Sequence, residues 1–255
     1  MGCALGLLKK IFGKTEELSE KERRLEKRVQ LVSEFPLKCF YKGQEVVLED
    51  VSAGGLRFSV GDTLNIGDEV ELSFEVPKVA GKTMVKGTVV HISIGYGVRL
   101  DVTDDYHEYI SLVAPALIGG TMKEYDPSNV NQSDPKYLKR LFFGSLNSTL
   151  TLWCQKENKD HVHMFDLRLE DLWIKGEKGS LKFLGVGGDE PNQGIHGHSK
   201  VGVATHHYAG NKQDELLNFF GLIIQNIADP WLRLKLTEYL DAKKSELAKR
   251  SASGS

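Results

Sequence analysis

The chain has 255 residues, of which 40% are hydrophobic and 27% charged, a composition that excludes collagen-like, coiled-coil and wholly disordered proteins. Its 33 basic and 35 acidic residues give a net charge of -2, which argues against coating of a nucleic acid polymer, so we expect any anion site to be local. The three scattered cysteines, Cys3, Cys39 and Cys154, form neither a disulfide framework nor a CxxC metal pair, which favours a reducing, cytoplasmic setting.

The N-terminal segment, residues 1–21, is amphipathic at its start and densely charged after it. Leu5, Leu8 and Phe12 fall on one side of a predicted helix that also carries lysines. This pattern predicts peripheral contact of residues 4–14 with a membrane, or contact with a partner; packing on the protein's own surface is the alternative. No apolar run reaches the roughly 18 residues that a spanning helix needs.

Alternating apolar and polar residues after Pro36 predict a set of short strands separated by glycine-containing turns. Six such strands predict a small antiparallel barrel or sandwich, and they cover residues 37–41, 44–51, 56–60, 69–76, 84–94 and 96–102. Thr103 or Asp104 can cap a following helix. We expect that helix to close the open end of the barrel with one apolar face, formed by Tyr106, Tyr109, Ile110 and Val113.

The second half of the chain predicts a separate α+β domain, so that the whole protein is mainly β. Glycines, prolines and polar residues predict a linker at 119–135, after which the C-terminal domain covers 136–250. Two terminal helices are expected, one at 213–228 and one that begins with Asp229 as its N-cap and Pro230 at its first position. The predicted strands are 148–155, 161–169, 171–175, 180–186 and 200–207. The tail, 251–255, has no apolar core residues and is expected to be disordered.

Two short motifs carry the chemistry of the first half. The first is Arg24-Leu-Glu-Lys-Arg28, and the second is Asp50-Val-Ser52-Ala-Gly54-Gly55. Arginine forks bind phosphate in a bidentate manner and stack on flat rings, and a carboxylate can accept the two donors on the Watson–Crick edge of guanine. Glycine lets the backbone approach a ligand closely.

Together, in this order, the two motifs resemble the signature of the PilZ family, RxxxR followed by [D/N]xSxxG, and the resemblance covers about residues 22–118. It implies a six-stranded antiparallel β-barrel that binds the bacterial second messenger cyclic di-GMP. By position, Arg24 and Arg28 would grip phosphates and guanine faces. The barrel side of the pocket would be lined by Asp50, Ser52, Gly54 and Gly55.

Two positions refine this resemblance. Many family members carry a tryptophan after the valines of the fifth strand, whereas here His91 follows Val89 and Val90. Arg23 precedes the first motif arginine, and in similar proteins an extra arginine there accompanies two intercalated ligand molecules. We therefore expect two molecules of cyclic di-GMP per chain.

The resemblance implies a bacterial receptor, cytoplasmic or peripheral at the inner membrane, that relays cyclic di-GMP binding to a protein partner controlling motility, biofilm formation or related behaviour. It is not expected to be an enzyme. The alternative is an enzyme whose catalytic C-terminal domain is regulated by the barrel, with a metal held by His161, His163, His196 and His198. No cysteine or carboxylate accompanies these histidines at ligand spacing, which favours surface and loop histidines. A scaffold that binds only proteins is a third possibility, and the intact motifs argue against it.

Overall fold

The computed structural model describes residues 27–76, 82–170, 172–186, 205–207 and 211–253. The predicted N-terminal segment lies outside these ranges, and so do Arg23, Arg24, His196 and His198. Within the described ranges, no helix has both the length and the apolar character needed to cross a membrane.

The first half forms a closed barrel of six antiparallel strands in the order β1-β2-β3-β6-β5-β4. The predicted barrel is therefore confirmed. Alternate residues of each strand face the interior, so apolar side chains such as Leu56, Phe58 and Phe74 are almost fully buried. The strands are β1 (Lys38–Tyr41), β2 (Gln44–Ser52), β3 (Gly55–Ser59), β4 (Glu69–Glu75), β5 (Thr83–Ile92) and β6 (Tyr96–Leu100).

Helix α1 (Asp104–Thr121) packs against this barrel, where it contacts β2 and β5. The Tyr106 hydroxyl donates to the carbonyl oxygen of Ala53 at 2.8 Å, and the buried ring of Tyr109 lies 5.2 Å from the ring of Phe74. Both contacts come from the predicted apolar face; the first fixes the helix at the β2–β3 turn and the second packs it on β4. Thr103 occupies the N-cap position, although its side chain makes no capping hydrogen bond.

The second half is a seven-stranded antiparallel sheet covered by two helices, α2 (Asn211–Asn226) and α3 (Pro230–Ser253). Aromatic side chains join the layers, since the ring of Phe165 lies 5.7 Å from Phe220 and 5.0 Å from Tyr239. Asp229 accepts from the backbone N–H of Trp231 at 2.9 Å, as its predicted capping role requires. The strands, in sheet order, are β13 (Thr205–His207), β12 (Ser180–Val186), β11 (Leu172–Glu177), β10 (Val162–Leu169), β9 (Thr149–Gln155), β8 (Tyr137–Phe143) and β7 (Lys123–Glu124).

The region predicted as a linker, 119–135, differs from the prediction. Helix α1 continues through the predicted boundary to Thr121, and β7 then joins the edge of the second sheet. The glycines that suggested a break lie inside the helix, where neighbouring elements approach its backbone closely. Helix α3 likewise continues to Ser253, so the backbone of 251–253 is helical rather than disordered.

Helix α1 belongs to both halves of the molecule. It contacts β2 and β5 of the barrel and lies along α2 of the C-terminal half. Buried apolar side chains form one continuous cluster that runs from the barrel through α1 into the second sheet. A displacement at the barrel end of α1 would therefore be transmitted to the C-terminal domain, because close-packed interiors transmit strain.

Candidate functional site

The candidate site lies where the part of the chain that precedes β1, here called the entry segment, contacts the barrel. Val29 pairs with Val51 of β2 through two backbone hydrogen bonds of 2.8 and 2.9 Å, and its side chain is buried. This short antiparallel bridge places the preceding residue, Arg28, beside Asp50. The two motifs, separated by 22 residues in sequence, are thus brought together at this bridge, as the resemblance implied.

Asp50 lies at the centre of the site, and both of its carboxylate oxygens have cationic partners. The Arg28 guanidinium donates to Oδ1 at 2.7 Å, and Arg57 of β3 lies 2.7 Å from Oδ2. Only 4% of Asp50 is exposed. A buried carboxylate needs charge partners, because removing it from water costs several kcal/mol. The two arginines supply the charge partners that this buried carboxylate needs.

A β-bulge in β2 explains how two acidic residues reach one arginine. The register between β2 and β3 shifts between Leu48 and Asp50, so that Glu49 and Asp50 together oppose Arg57. In a regular strand, consecutive side chains point to opposite faces of the sheet. Here Glu49 Oε2 lies 2.9 Å from Arg57 Nε, while the other Glu49 oxygen accepts from the Ser59 hydroxyl. Arg57 consequently lies between two carboxylates, although its buried Nε makes no hydrogen bond within the described residues, so that the Glu49 side is a charge contact.

The second motif also builds the turn that follows Asp50. The Ser52 hydroxyl donates to the carbonyl oxygen of Gly55 at 3.0 Å, which closes the two-residue turn between β2 and β3. The Gly54 carbonyl accepts from the N–H of Leu100 at 3.1 Å. At Gly55, a Cβ atom would lie 2.3 Å from the carbonyl oxygen of Val98, so this position requires glycine. Ser52, Gly54 and Gly55 thereby set the position of the β2 end that carries Asp50.

Arg57 was not among the predicted site residues, although the sequence contained a signal for it. In a two-residue hairpin turn that pairs Ser52 with Gly55, residue 57 lies opposite residue 50. An arginine opposite an aspartate on one face is a favourable cross-strand pair. The contribution of Glu49 carried no such signal, because the bulge depends on the closed barrel rather than on the local alternation.

Of the four predicted metal-binding histidines, the structure describes two, His161 and His163. His161 is exposed, and the ring of His163 stacks on Tyr137 with 4.6 Å between ring centroids. Among the side chains that the structure describes, no group of three or more His, Cys, Asp and Glu residues could hold a metal ion. His196 and His198, the other two candidates, lie outside the described residues.

The two described cysteines are structural. Cys39 in β1 and Cys154 in β9 are both buried and free. Burial raises the pKa of the Cys39 thiol to about 12 and also raises the pKa of Cys154. Because the thiolate is the reactive form, these side chains act as small apolar core residues.

Comparison with known proteins agrees with the two motifs and with the barrel. The family model of the PilZ domain matches residues 22–113, which include Arg28, Asp50 and the six barrel strands. Much of helix α1 falls within the same match, and the seven-stranded sheet lies beyond it. No curated protein matches the chain.

Proposed function

We propose that this chain, whose residues 22–113 are a PilZ domain, is a bacterial receptor for cyclic di-GMP. The PilZ domain indicates a family of cyclic di-GMP receptors. The observation that carries the proposal for this chain is the convergence of Arg28 and Asp50 across the bridge between Val29 and Val51. It provides a cation for phosphate and an acceptor for guanine at one point on the barrel surface.

The geometry supports a simple exchange at the site. Arg28 is the more accessible of the two arginines, with 46% of its side chain exposed against 30% for Arg57. Its guanidinium can turn from Asp50 toward a phosphate or a guanine face, where charge-assisted hydrogen bonds contribute about 1.5 to 3 kcal/mol each. The Oδ1 atom that Arg28 leaves then accepts donors from the Watson–Crick edge of a guanine. Arg24, four residues earlier in the same motif, is assigned a second contact.

We further propose a stoichiometry of two nucleotides per chain. A second, intercalated molecule adds more phosphate charge and another guanine face, and an additional guanidinium can offset the first and stack on the second. Arg23 is assigned this role because it immediately precedes Arg24 in the motif. Arg23→Ala should therefore shift the stoichiometry from two toward one.

Binding would be communicated to the C-terminal domain through helix α1. Val29 adjoins Arg28, and its side chain fills the space beside Gly120, where a Cβ atom would lie only 2.3 Å from a Val29 methyl group. On another side of the same helix, a Cβ atom at Gly119 would lie 2.2 Å from the carbonyl oxygen of Ile223 in α2. Because of these two adjacent glycines, Val29 of the entry segment and helix α2 of the C-terminal domain both pack against the same stretch of α1.

We assign the C-terminal domain to output rather than to catalysis, with a protein partner that controls motility, biofilm formation or a related behaviour. A difference of about 1 to 3 kcal/mol between two placements of the entry segment is sufficient for such coupling. The predicted contact of residues 4–14 with the inner membrane or with a partner would add a second output at the other end of the same segment, in a cytoplasmic protein.

Isothermal titration of the full chain with cyclic di-GMP tests the proposal. We expect micromolar affinity or tighter, about -8 kcal/mol, with affinity falling as salt is added because arginine–phosphate contacts are screened. Cyclic GMP and GTP are the matched controls for a generic guanine or phosphate site. Absence of heat with cyclic di-GMP, or equal binding of all three nucleotides, would contradict the proposal.

A further inference from the structure

We infer that Arg57 is a positioning residue, which holds the Asp50 carboxylate in place while Arg28 changes partner. This inference rests on the proposed function, since it concerns how the same site recognises cyclic di-GMP. Arg57 lies outside both sequence motifs, and in the structure its guanidinium contacts the Asp50 carboxylate at 2.7 Å.

The attachments of the two arginines differ in rigidity. Arg57 is part of β3, and its guanidinium lies between Glu49 and Asp50, at 2.9 Å from the first and 2.7 Å from the second. Glu49 is itself fixed by the Ser59 hydroxyl. The turn between β5 and β6 packs against the Glu49 side chain, since a Cβ atom at Gly95 would lie 2.7 Å from Glu49 Oε1. Arg28, by contrast, precedes the first strand and is tied to the barrel by the bridge at Val29.

Arg57 also compensates the charge of Asp50 during the proposed exchange, in which Arg28 leaves the carboxylate. When Arg28 turns to the ligand, Asp50 loses the cation at Oδ1 while it remains almost fully buried. A buried charge that loses its partner is strongly destabilised. Because Arg57 stays on Oδ2, one full positive charge remains beside the carboxylate, and the neutral N–H donors of guanine are sufficient at Oδ1.

The same contact sets the direction of the carboxylate. The planar guanidinium of Arg57 meets Asp50 at Oδ2 and lies against Glu49 on its other side, so it holds one carboxylate oxygen from a position set by β3, whereas a lysine ammonium is a point charge on a flexible stem. With the carboxylate so fixed, Asp50 can discriminate a guanine, which presents a ring N–H and an exocyclic amine, from a base that lacks the amine. Arg57 would therefore determine base specificity as well as affinity.

The test compares affinities for cyclic di-GMP and for cyclic di-inosine monophosphate, which lacks the exocyclic amine. Arg57→Met should weaken cyclic di-GMP binding about tenfold or more and reduce the preference over the inosine analogue, whereas Arg57→Lys should recover affinity but little of the preference. Glu49→Ala leaves Asp50 and Arg57 in place and should reduce both quantities about threefold. Lys86→Met, which removes an exposed cation 3.8 Å from Glu71 on the neighbouring strand, is the control for net charge and should change neither.

Each outcome bears on a different statement. Normal binding by the natural chain with an unchanged preference in Arg57→Met and Glu49→Ala would overturn the inference and leave the proposed function intact. Absence of binding by the natural chain would overturn the proposed function and this inference with it. Circular dichroism and a urea titration of each variant identify loss of folding, and Glu49→Ala supplies the answer if Arg57→Met does not fold.

Discussion

The barrel and the seven-stranded sheet each carry an aspartate beside an arginine, but the two clusters are built differently. In the barrel, Asp50 has an arginine on each carboxylate oxygen, one from the entry segment and one from β3. In the sheet, Asp166 pairs through Oδ2 with Arg168, two residues along the same strand, at 3.1 Å. Oδ1 of Asp166 is buried and has no hydrogen-bond partner in the described part of the chain.

The difference shows what turns a polar cluster into a binding site. The Arg168 guanidinium also lies over the Trp173 ring at 4.5 Å, so both of these partners belong to neighbouring strands of one sheet, although 54% of the Arg168 side chain is exposed. The Asp50 cluster instead joins segments that are distant in sequence. One of them, the entry segment, contacts helix α1 through Val29. A ligand that displaces Arg28 can therefore move other elements, whereas a change at Arg168 remains local.

The largest expected effect concerns whether the barrel and the C-terminal domain unfold as one unit or independently. Because α1 contributes to both cores, Cys39 and Cys154 should become reactive toward a thiol reagent in a single urea transition. In the native state, labelling should be at least about a thousandfold slower than in the unfolded chain, since the native thiols are buried and their pKa values are raised. Peptide mapping by mass spectrometry distinguishes the two sites, and two separate transitions would show independent domains.

The next effect is expected at Gly119, on the side of α1 that faces the C-terminal domain. The Cβ atom of Gly119→Ala would lie 2.2 Å from the backbone oxygen of Ile223, so α2 must shift. We expect a loss of about 3 kcal/mol in the free energy of unfolding, despite the better helix propensity of alanine. Chemical denaturation measures this change. A stabilised variant would show that α1 and α2 are not in tight contact.

A smaller effect is expected at Gly120, on the side of α1 that faces the ligand site. Gly120→Ala should cost about 1 to 2 kcal/mol of stability and weaken cyclic di-GMP binding, because the new methyl group displaces Val29 and with it Arg28. Val29→Ala provides the space that the methyl group needs. In a double-mutant cycle the two changes should therefore be less harmful together than their sum, and additive costs would argue against this contact.

Elements with a local signal were predictable from the sequence, whereas elements that depend on distant contacts were not. The six barrel strands and Asp229 followed from alternation and capping preferences, which act over a few residues. Strand β8 was missed because Lys139 and Arg140 interrupt its apolar pattern. Arg140 is accommodated there by Glu124 at 2.7 Å and by the Trp231 ring at 4.2 Å, contacts with distant residues that no local pattern encodes.

At the site, the resemblance assigned Arg28 and Asp50 to one ligand pocket, and in the structure the two side chains contact each other. The position of Arg57, the second partner of Asp50, depended on hairpin register, and the participation of Glu49 depended on a bulge in the closed barrel. The glycines at 119 and 120 suggested a linker because glycine usually weakens a helix, whereas here it permits close packing on two sides. Tertiary contacts therefore decided the participation of Glu49 and the packing around the two glycines.

The smallest effect is expected at the second aspartate. Asp166→Asn keeps the shape of the side chain and supplies a donor at a position where Oδ1 has no partner in the described structure. The variant should change the free energy of unfolding by less than about 1 kcal/mol, because the lost ion pair is partly exposed. It should leave cyclic di-GMP binding unchanged. A large loss of affinity would mean that the sheet, too, takes part in recognition.

The most direct test of the account compares the same substitution in the two clusters. Arg28→Ala and Arg168→Ala each remove an arginine from an aspartate, and calorimetric titration with cyclic di-GMP measures the consequence. We predict that Arg28→Ala weakens binding by about one to two orders of magnitude, while Arg168→Ala retains the affinity of the natural chain. Equal affinity in the natural chain and Arg28→Ala, or a loss confined to Arg168→Ala, would contradict the assignment of the binding site to the barrel.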